Sequence, residues 1–484
     1  MSIVLPAGTF KADQLKLDAS KPTILLCSDS PGIHTGQSQI VRNLFKRIYD
    51  SGKYNIVQFA WWHIDPKEFM PWPLLTVNAR SDGSIEAADK YGDLSLNNLV
   101  SQLSPDLLWC LGDPWMLRPI MGRRTRITCP IIAYIPADGG PLYTTADYTP
   151  LSPGWAEVMQ TFDCVVPLVP SAEKMFKSAF PEATINTSIP CGVDTNIYRP
   201  LPVEERNKIK TLVFTLKPSD KMIMSVGRNQ QRKHISVNVA AMHFLITGHY
   251  SVCADCGKYT IWNRNFQMAQ DIGPASSCKW CSSIRLEAGI PRTNLYYYMH
   301  TPLEELNEDS YRITPLLRQF NLLNSKDNLA AQRILTNKTI RSTHGMPESV
   351  MANYYNASDL YVSPSFGEGF GMPIIESLAC GTPVIVPNCS APPDFIEDAG
   401  IIVPIGYQWC EPQTTYWRGM VDLDGWVGAI DTALYKHPIT VEKCTAVAKK
   451  YDWDTIVPQW LDLFDNMLKK GNSNKVWHQV LKGV

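Results

Sequence analysis

The sequence predicts an α/β protein with more than one domain, and three observations carry that prediction. Apolar runs of the buried-strand type recur at 23–27, 56–59, 107–110 and 131–135, with helical patterns between them, the order that builds a parallel sheet. A second strand–loop–helix–strand unit spans 360–386. At 484 residues the chain exceeds what a single hydrophobic core supports.

Bulk properties narrow the class. The 45 basic and 46 acidic residues balance, so nothing draws the whole surface to nucleic acid or an anionic membrane. The first 20 residues lack the cationic start and apolar core of a signal peptide. No apolar run approaches the ~18–20 residues that span a bilayer. Thirteen cysteines without a secretion signal point to reduced thiols and a metal site. The expectation is a soluble cytoplasmic protein with no transmembrane segment.

In chain order, residues 1–20 read as a tail or an edge strand. The strand at 23–27 leads through a loop ending at Gly36 into a helix with apolar Ile40, Val41, Leu44, Phe45 and Ile48. Arg42, Lys46 and Arg47 flank that stripe and read as solvated charge, with membrane docking the lesser alternative. After the strand at 131–135 comes Pro136-Ala137-Asp138-Gly139-Gly140. Ligands of open α/β sheets lie beyond the carboxyl ends of strands, which makes Asp138 either an acceptor-side or catalytic group or a turn cap. Arg123, Arg124 and Arg126 form a short basic cluster. A charged run from Glu204 to Lys210 reads as part of a linker at 203–220.

The second domain opens on a strand at 223–226 followed by Gly227-Arg228-Asn229-Gln230-Gln231-Arg232-Lys233. Arg228 offers a planar fork for phosphate oxygens and Lys233 a mobile point charge, whereas Arg232 is a further cation without an assigned role. Cys253, Cys256, Cys278 and Cys281 then form two C-x2-C knuckles 21 residues apart, the spacing of a four-cysteine zinc ribbon. Thiolates in a reducing compartment suit tetrahedral Zn2+, a structural ion, and His249 is a lesser candidate ligand. This insert, 251–292, carries Lys258, Arg264, Lys279, Arg285 and Arg292 against Asp255, Asp271 and Glu287, with Tyr259, Trp262, Phe266 and Trp280 interleaved. It reads as a clip that lets an inserted loop fold without its own core, or as a grip on nucleic acid through phosphates and stacked bases.

Residues 339–341 read as a strand. The stretch 363–386 organises the second domain. Gly367, Gly369 and Gly371 alternate in a loop whose backbone comes close to a ligand, Pro373 opens a helix, and Gly381-Thr382-Pro383 ends it. That arrangement presents N–H groups and a positive dipole end to a phosphate, while Glu368 and Glu376 bracket the site as acceptors for sugar hydroxyls.

The run E-G-F-G-M-P-x-x-E-S-L-A-C-G-T-P-V-I, with seven residues between Glu368 and Glu376, resembles the signature of retaining nucleotide-sugar glycosyltransferases of the GT-B fold, family 4 type. The segments V-G-R-x-x-x-x-K at 226–233 and G-V-D at 192–194 are similar to further elements of that family. The resemblance covers most of the chain, excepting 1–20, the insert and 302–335. It implies two Rossmann-like domains facing across a cleft: residues 1–202 on the acceptor side, 221–450 binding the nucleotide-sugar, and terminal helices at 451–484 crossing back to the first. It implies that Arg228 and Lys233 hold the donor diphosphate and that Gly369, Phe370, Gly371 and Met372 support it. Glu368 would hold the transferred sugar, Glu376 the nucleotide ribose, and Gly36 would leave room for substrate above the cleft. With cations and a helix end stabilising the leaving diphosphate, no catalytic metal is expected. Many members carry a histidine near the strand end where this chain has Asp138. The implied reaction moves a sugar, from a UDP-sugar first of all, to a hydroxyl. The acceptor is a hydroxymethylated base in DNA, or a glycan, lipid or small molecule; a non-catalytic scaffold that binds nucleic acid is the reading from another class.

Overall fold

The apolar runs become parallel strands. The computed structural model describes residues 4–33, 35–61, 70–77, 89–140, 142, 155–265, 268–302, 310–323, 333–337, 345–412 and 416–470. It divides into two compact units: Met1–Gly192 with Pro412–Tyr416 and Tyr451–Val484, and Val193–Glu411 with Trp417–Lys450.

The first unit is built on strands β1 (Val4–Pro6), β2 (Thr23–Asp29), β3 (Asn55–Trp61), β4 (Leu74–Thr76), β5 (Leu107–Leu111), β6 (Ile131–Ile135) and β7 (Cys164–Pro167). They pair in the order β1-β4-β3-β2-β5-β6-β7, every pair parallel. Every residue of β2 is buried, as a central parallel strand covered on both faces requires. The tail at 1–20 does supply the edge strand, β1.

Helix Gly36–Asp50 starts at Thr35, whose hydroxyl accepts the Ser38 N–H at 3.1 Å, and it buries Ile40, Val41, Leu44, Phe45 and Ile48. Its flanking cations are engaged within the unit: Arg42 donates to the Pro31 carbonyl, Lys46 pairs with Asp50 and Arg47 with Asp454. The C-terminal helix Trp453–Lys470 covers the same sheet, with Trp460 wedged against Trp109 and Tyr134 and Phe464 against Phe45. Gly192 lies beneath Trp453, and a β-carbon there would meet the indole at 2.4 Å.

The second unit holds β8 (Lys221–Val226), five short strands of the insert, and β14 (Leu295–His300), β15 (Ile334–Thr336), β16 (Leu360–Val362), β17 (Val384–Pro387) and β18 (Gly400–Val403). The main strands pair in parallel in the order β15-β14-β8-β16-β17-β18. The insert strands are β9 (Tyr250–Cys253), β10 (Tyr259–Ile261), β11 (Asn263–Asn265), β12 (Gln270–Gly273) and β13 (Leu286–Ala288). A hairpin of β19 (Ile405–Cys410) and β20 (Trp417–Val421) completes the unit. The strand expected at 339–341 lies outside the described residues.

The segment expected as a linker is instead helix Val203–Phe214, an integral part of this unit. Lys210 is buried there, its ammonium bonded to Asp359 at 2.7 Å and to the Asp220 carbonyl at 2.9 Å, and Arg206 donates to the Asn356 carbonyl. A charged run reads as solvated until its stems and heads find partners.

At the end of β14, His300 is buried, its Nδ1 2.9 Å from the Tyr298 hydroxyl, and burial holds its imidazole down at about 4 against an ordinary 6.5. The fold favours the neutral ring, so between those values the unfolded chain binds the extra proton. Stability is full above pH 6.5 and is lost as pH falls through 4. At pH 4.5 this one group costs about 2.5 kcal/mol relative to neutrality. Urea unfolding of wild type and His300→Asn at pH 7 and pH 4.5 checks this: the wild type should lose more stability than the variant, and equal losses would place the acid sensitivity elsewhere.

Candidate nucleotide-sugar site

Within the second unit, the expected donor residues converge at the carboxyl ends of β8 and β16. Gly227 closes β8, and the stem of Lys233 crosses it so closely that a β-carbon there would meet Lys233 Cε at 3.3 Å. Gly227, Arg228, Lys233, Thr301 and Ser363 line one small pocket at this strand edge. The Arg228 side chain is exposed and makes no hydrogen bond or ion pair to any described residue.

The glycine loop is fastened to this edge through Glu368. Lys233 Nζ lies 2.5 Å from Glu368 Oε1, and Arg232 Nη1 lies 3.6 Å from Oε2. Glu368 is only 7 % exposed. Burial raises its pKa, but the adjoining Lys233 and Arg232 cations outweigh that and hold the carboxyl below its ordinary range. Gly371 adopts φ +99°, a left-handed conformation that glycine takes without penalty, and starts helix Met372–Ala379. Gly371, at the N-cap, has no side chain to cap that helix start. Phe370 stacks on Phe395 at 4.7 Å, which anchors the loop between Gly369 and Gly371, and Met372 is buried as the first helical residue.

Glu376 is the fifth residue of this helix, in its second turn. It is 4 % exposed, and its Oε2 accepts a hydrogen bond from the Tyr355 hydroxyl at 2.8 Å. Two residues, Tyr355 and Arg232, thus join this cluster without a role read from the sequence. Tyr355 sits in an unremarkable helix, Glu348–Ala357, and only the fold brings it beneath Glu376. Arg232 was visible as an extra cation, and its partner was not.

Gly36 and Asp138 lie in the first unit, beyond the carboxyl ends of β2 and β6 respectively. A β-carbon at Gly36 would meet nothing within 4 Å, and Asp138 is half-buried.

The four insert cysteines come together with all sulfurs within 4.8 Å of one another, and the Cys253–Cys281 and Cys256–Cys278 pairs are each 3.6 Å apart. Tetrahedral Zn–S bonds of ~2.3 Å place sulfurs about 3.8 Å apart, close to the two 3.6 Å pairs, so the four thiols form a donor set suited to Zn2+. The backbone N–H of Cys256 holds the Cys253 thiol below its ordinary pKa, as a metal ligand needs.

Four of the insert's five cations are paired with carboxylates, Arg264 and Arg292 in buried or partly buried settings and Lys279 and Arg285 at the surface. Lys279 pairs with Asp422 and Asp424, Arg292 with Asp431, Arg285 with Asp255, and buried Arg264 with Asp271. Tyr259 donates to Asp431 at 2.6 Å, and its ring lies over Gly428, where a β-carbon would approach it to 2.8 Å. Trp262 stacks on His249, and Trp280 is covered by Lys258 and Lys279. Phe266 lies outside the described residues. Of the basic cluster in the first unit, Arg124 is buried in an ion pair with Asp163 at 2.7 Å.

Parallel sheets of this topology, with a ligand loop at their carboxyl edge, define the class: the fold is the α/β GT-B fold of glycosyltransferases. A family model described as "Glycosyl transferases group 1" matches residues 324–408. The chain is 40% identical to O-antigen chain mannosyltransferase B of Escherichia coli over 63 residues, 13% of this chain and 16% of that protein. The chain spans about one sixth of the length of the first curated relatives it matches. Among solved structures, sucrose-phosphate synthase from Thermosynechococcus elongatus aligns with a TM-score of 0.64 at 17% identity, covering 93% of this chain and 100% of that one. Anabaena HepE, in complex with UDP and glucose, aligns with a TM-score of 0.59 at 13% identity, covering 92% and 100%. Among the described residues, no helix is long and apolar enough to cross a membrane.

Proposed function

We propose that the chain is a retaining glycosyltransferase of the family 4 type that moves a sugar from a UDP-sugar to a hydroxyl acceptor. The observation that carries this reading is that Lys233 shares a strand-edge pocket with Arg228 and pairs with Glu368 of the glycine loop. Arg228, exposed and without a partner among the described residues, takes the diphosphate together with Lys233, and the start of helix Met372–Ala379 supports it. Glu368 accepts from hydroxyls of the transferred sugar and Glu376 from those of the ribose. As the anomeric C–O bond to the diphosphate breaks, the negative charge it leaves grows between fixed cations. The acceptor oxygen bonds to the anomeric carbon and its proton leaves to a base. Asp138 is the acceptor-side candidate for that role, and Gly36 is the opening for substrate. The UDP in HepE supports uridine as the first nucleotide to try.

The acceptor we favour is a hydroxyl of a glycan, a lipid or a small molecule, with the four-cysteine ribbon holding a structural Zn2+. The DNA reading leaned on the insert's cations and aromatics. Four of those five cations are paired with carboxylates, Arg264 and Arg292 firmly and the exposed Lys279 and Arg285 at the surface, which weakens the cationic face the insert offers a phosphate. A non-catalytic scaffold has no need of Arg228, Lys233, Glu368 and Glu376 together. None of the thirteen cysteines forms a disulfide, consistent with the reducing cytoplasm we assign.

The test is UDP release from a panel of UDP-sugars, with and without hydroxymethylated DNA. Slow turnover of one donor, indifferent to DNA, is expected. Strong stimulation by that DNA would restore the base as acceptor, and no release or binding of any nucleotide would overturn the enzyme reading.

A further inference from the structure

The 228–233 segment carries one cation more than a diphosphate needs, and its contacts say what the extra one does. Arg232 is bound to the glycine loop from both of its ends. Its Nη1 donates to the Gly367 carbonyl at 2.9 Å, and its own carbonyl accepts from the Phe366 N–H at 3.0 Å. The same Nη1 faces Glu368 Oε2, while Lys233 sits on Oε1. Two cations therefore share one buried carboxylate.

That sharing matters once a diphosphate arrives. Lys233 cannot give its full charge both to a phosphate oxygen and to Glu368. As Lys233 turns toward the diphosphate, Glu368 is left buried with weaker compensation, and a buried carboxyl so placed takes up a proton. A protonated Glu368 would accept sugar hydroxyls poorly. Arg232 stays, because its loop hydrogen bonds hold it beside Oε2 whatever Lys233 does.

We propose that Arg232 is a positioning residue for sugar recognition: it holds Glu368 ionised and in place while Lys233 is drawn to the diphosphate. The proposal rests on the donor reading above and deepens it. The other titratable groups against Glu368 are Tyr361 on β16 and Cys389 after β17. Burial pushes the Cys389 thiol up to about 11 and Tyr361 well above its ordinary value, so neither changes charge near neutrality.

The test separates the charge from the loop tie. Arg232→Gln keeps an N–H that reaches toward the Gly367 carbonyl and removes the charge; Arg232→Lys restores charge without the planar fork. UDP affinity is measured by calorimetry, and kcat and KM for the UDP-sugar from pH 5 to 8.5. In Arg232→Gln, UDP affinity should stay within about threefold of wild type, because Arg228 and Lys233 remain. Its KM for the UDP-sugar should rise about tenfold, and the acid limb of kcat/KM should move up by about one pH unit. Arg232→Lys should return that limb most of the way. An acid limb that coincides with wild type in a folded Arg232→Gln protein overturns the proposal, as does loss of UDP affinity as large as that of Lys233→Met. Failure of the wild-type protein to bind UDP overturns the donor reading and this proposal with it, so the two failures are distinguishable.

Discussion

Replacing Glu376 with alanine should lower kcat/KM for the nucleotide-sugar by about a hundredfold to a thousandfold. Two losses follow, and they read out differently. Hydrogen bonds from hydroxyls to a charged group are worth about 1.5–3 kcal/mol each, and the proposed ribose contact loses them, which sets the kinetic effect. The Tyr355 hydroxyl, 2.8 Å from Glu376 Oε2 in a buried setting, also loses its acceptor, at about 1–3 kcal/mol of stability in free and bound protein alike. Glu376→Gln divides the two, since the amide oxygen still accepts from Tyr355 while the negative charge is gone. That variant should fold as well as wild type and still lose most of its donor affinity. Near wild-type kinetics in both variants would remove Glu376 from the donor site.

The second large effect is expected from the cysteine cluster. Purified protein should carry one equivalent of zinc, and Cys253→Ser with Cys278→Ser should carry none. Structural Zn2+ sites bind with apparent free energies of about 10–16 kcal/mol, and that energy is folding energy for the segment that forms them. Without the ion, Tyr250 and Tyr259 still pack into the unit's core, but the segments joined by the cysteines lose their tie and their docking on helix Leu423–Asp431 weakens. The melting temperature should drop by about 10 °C, since losing a few kcal/mol in a unit of this size moves it that far. UDP affinity should change far less, because the donor residues lie on the other strand ends. Metal analysis that finds no zinc in protein purified without chelators would overturn the assignment.

What could be read from the sequence was local. Strand patterns such as 23–27 announce themselves because a parallel strand is apolar on both faces, and β2 is buried throughout. The glycine loop and its helix were legible because Gly371, Pro373 and Gly381 each have positional meaning. The two C-x2-C pairs were legible because both halves of each lie within four residues, and the structure brings the four sulfurs together.

Non-local pairing was not legible. Glu204 to Lys210 looked like a solvated linker because Asp359, which holds Lys210, is 149 residues away. The insert's cations looked available to a phosphate because Asp422, Asp424 and Asp431 lie far downstream. Counting charges gave the right total and the wrong availability. Tyr355 carries no motif, and only the packing of two helices puts its hydroxyl under Glu376.

The way the insert leaves and rejoins the chain has a consequence for construction. Gly248 lies against Pro291, the Gly289 N–H bonds to the Tyr250 carbonyl, and the Arg292 N–H bonds to the Leu245 carbonyl. The two ends are thus stitched into a single stem, and β14 keeps its register beside β8 whatever the stem carries. Geometrically the insert is a detachable cassette. Electrostatically it is not, because cutting the stem would strip Asp424 and Asp431 of the cations that now neutralise them on helix Leu423–Asp431. A shortened chain would have to exchange those two aspartates as well, so the cassette and the helix face beneath it form one electrostatic unit.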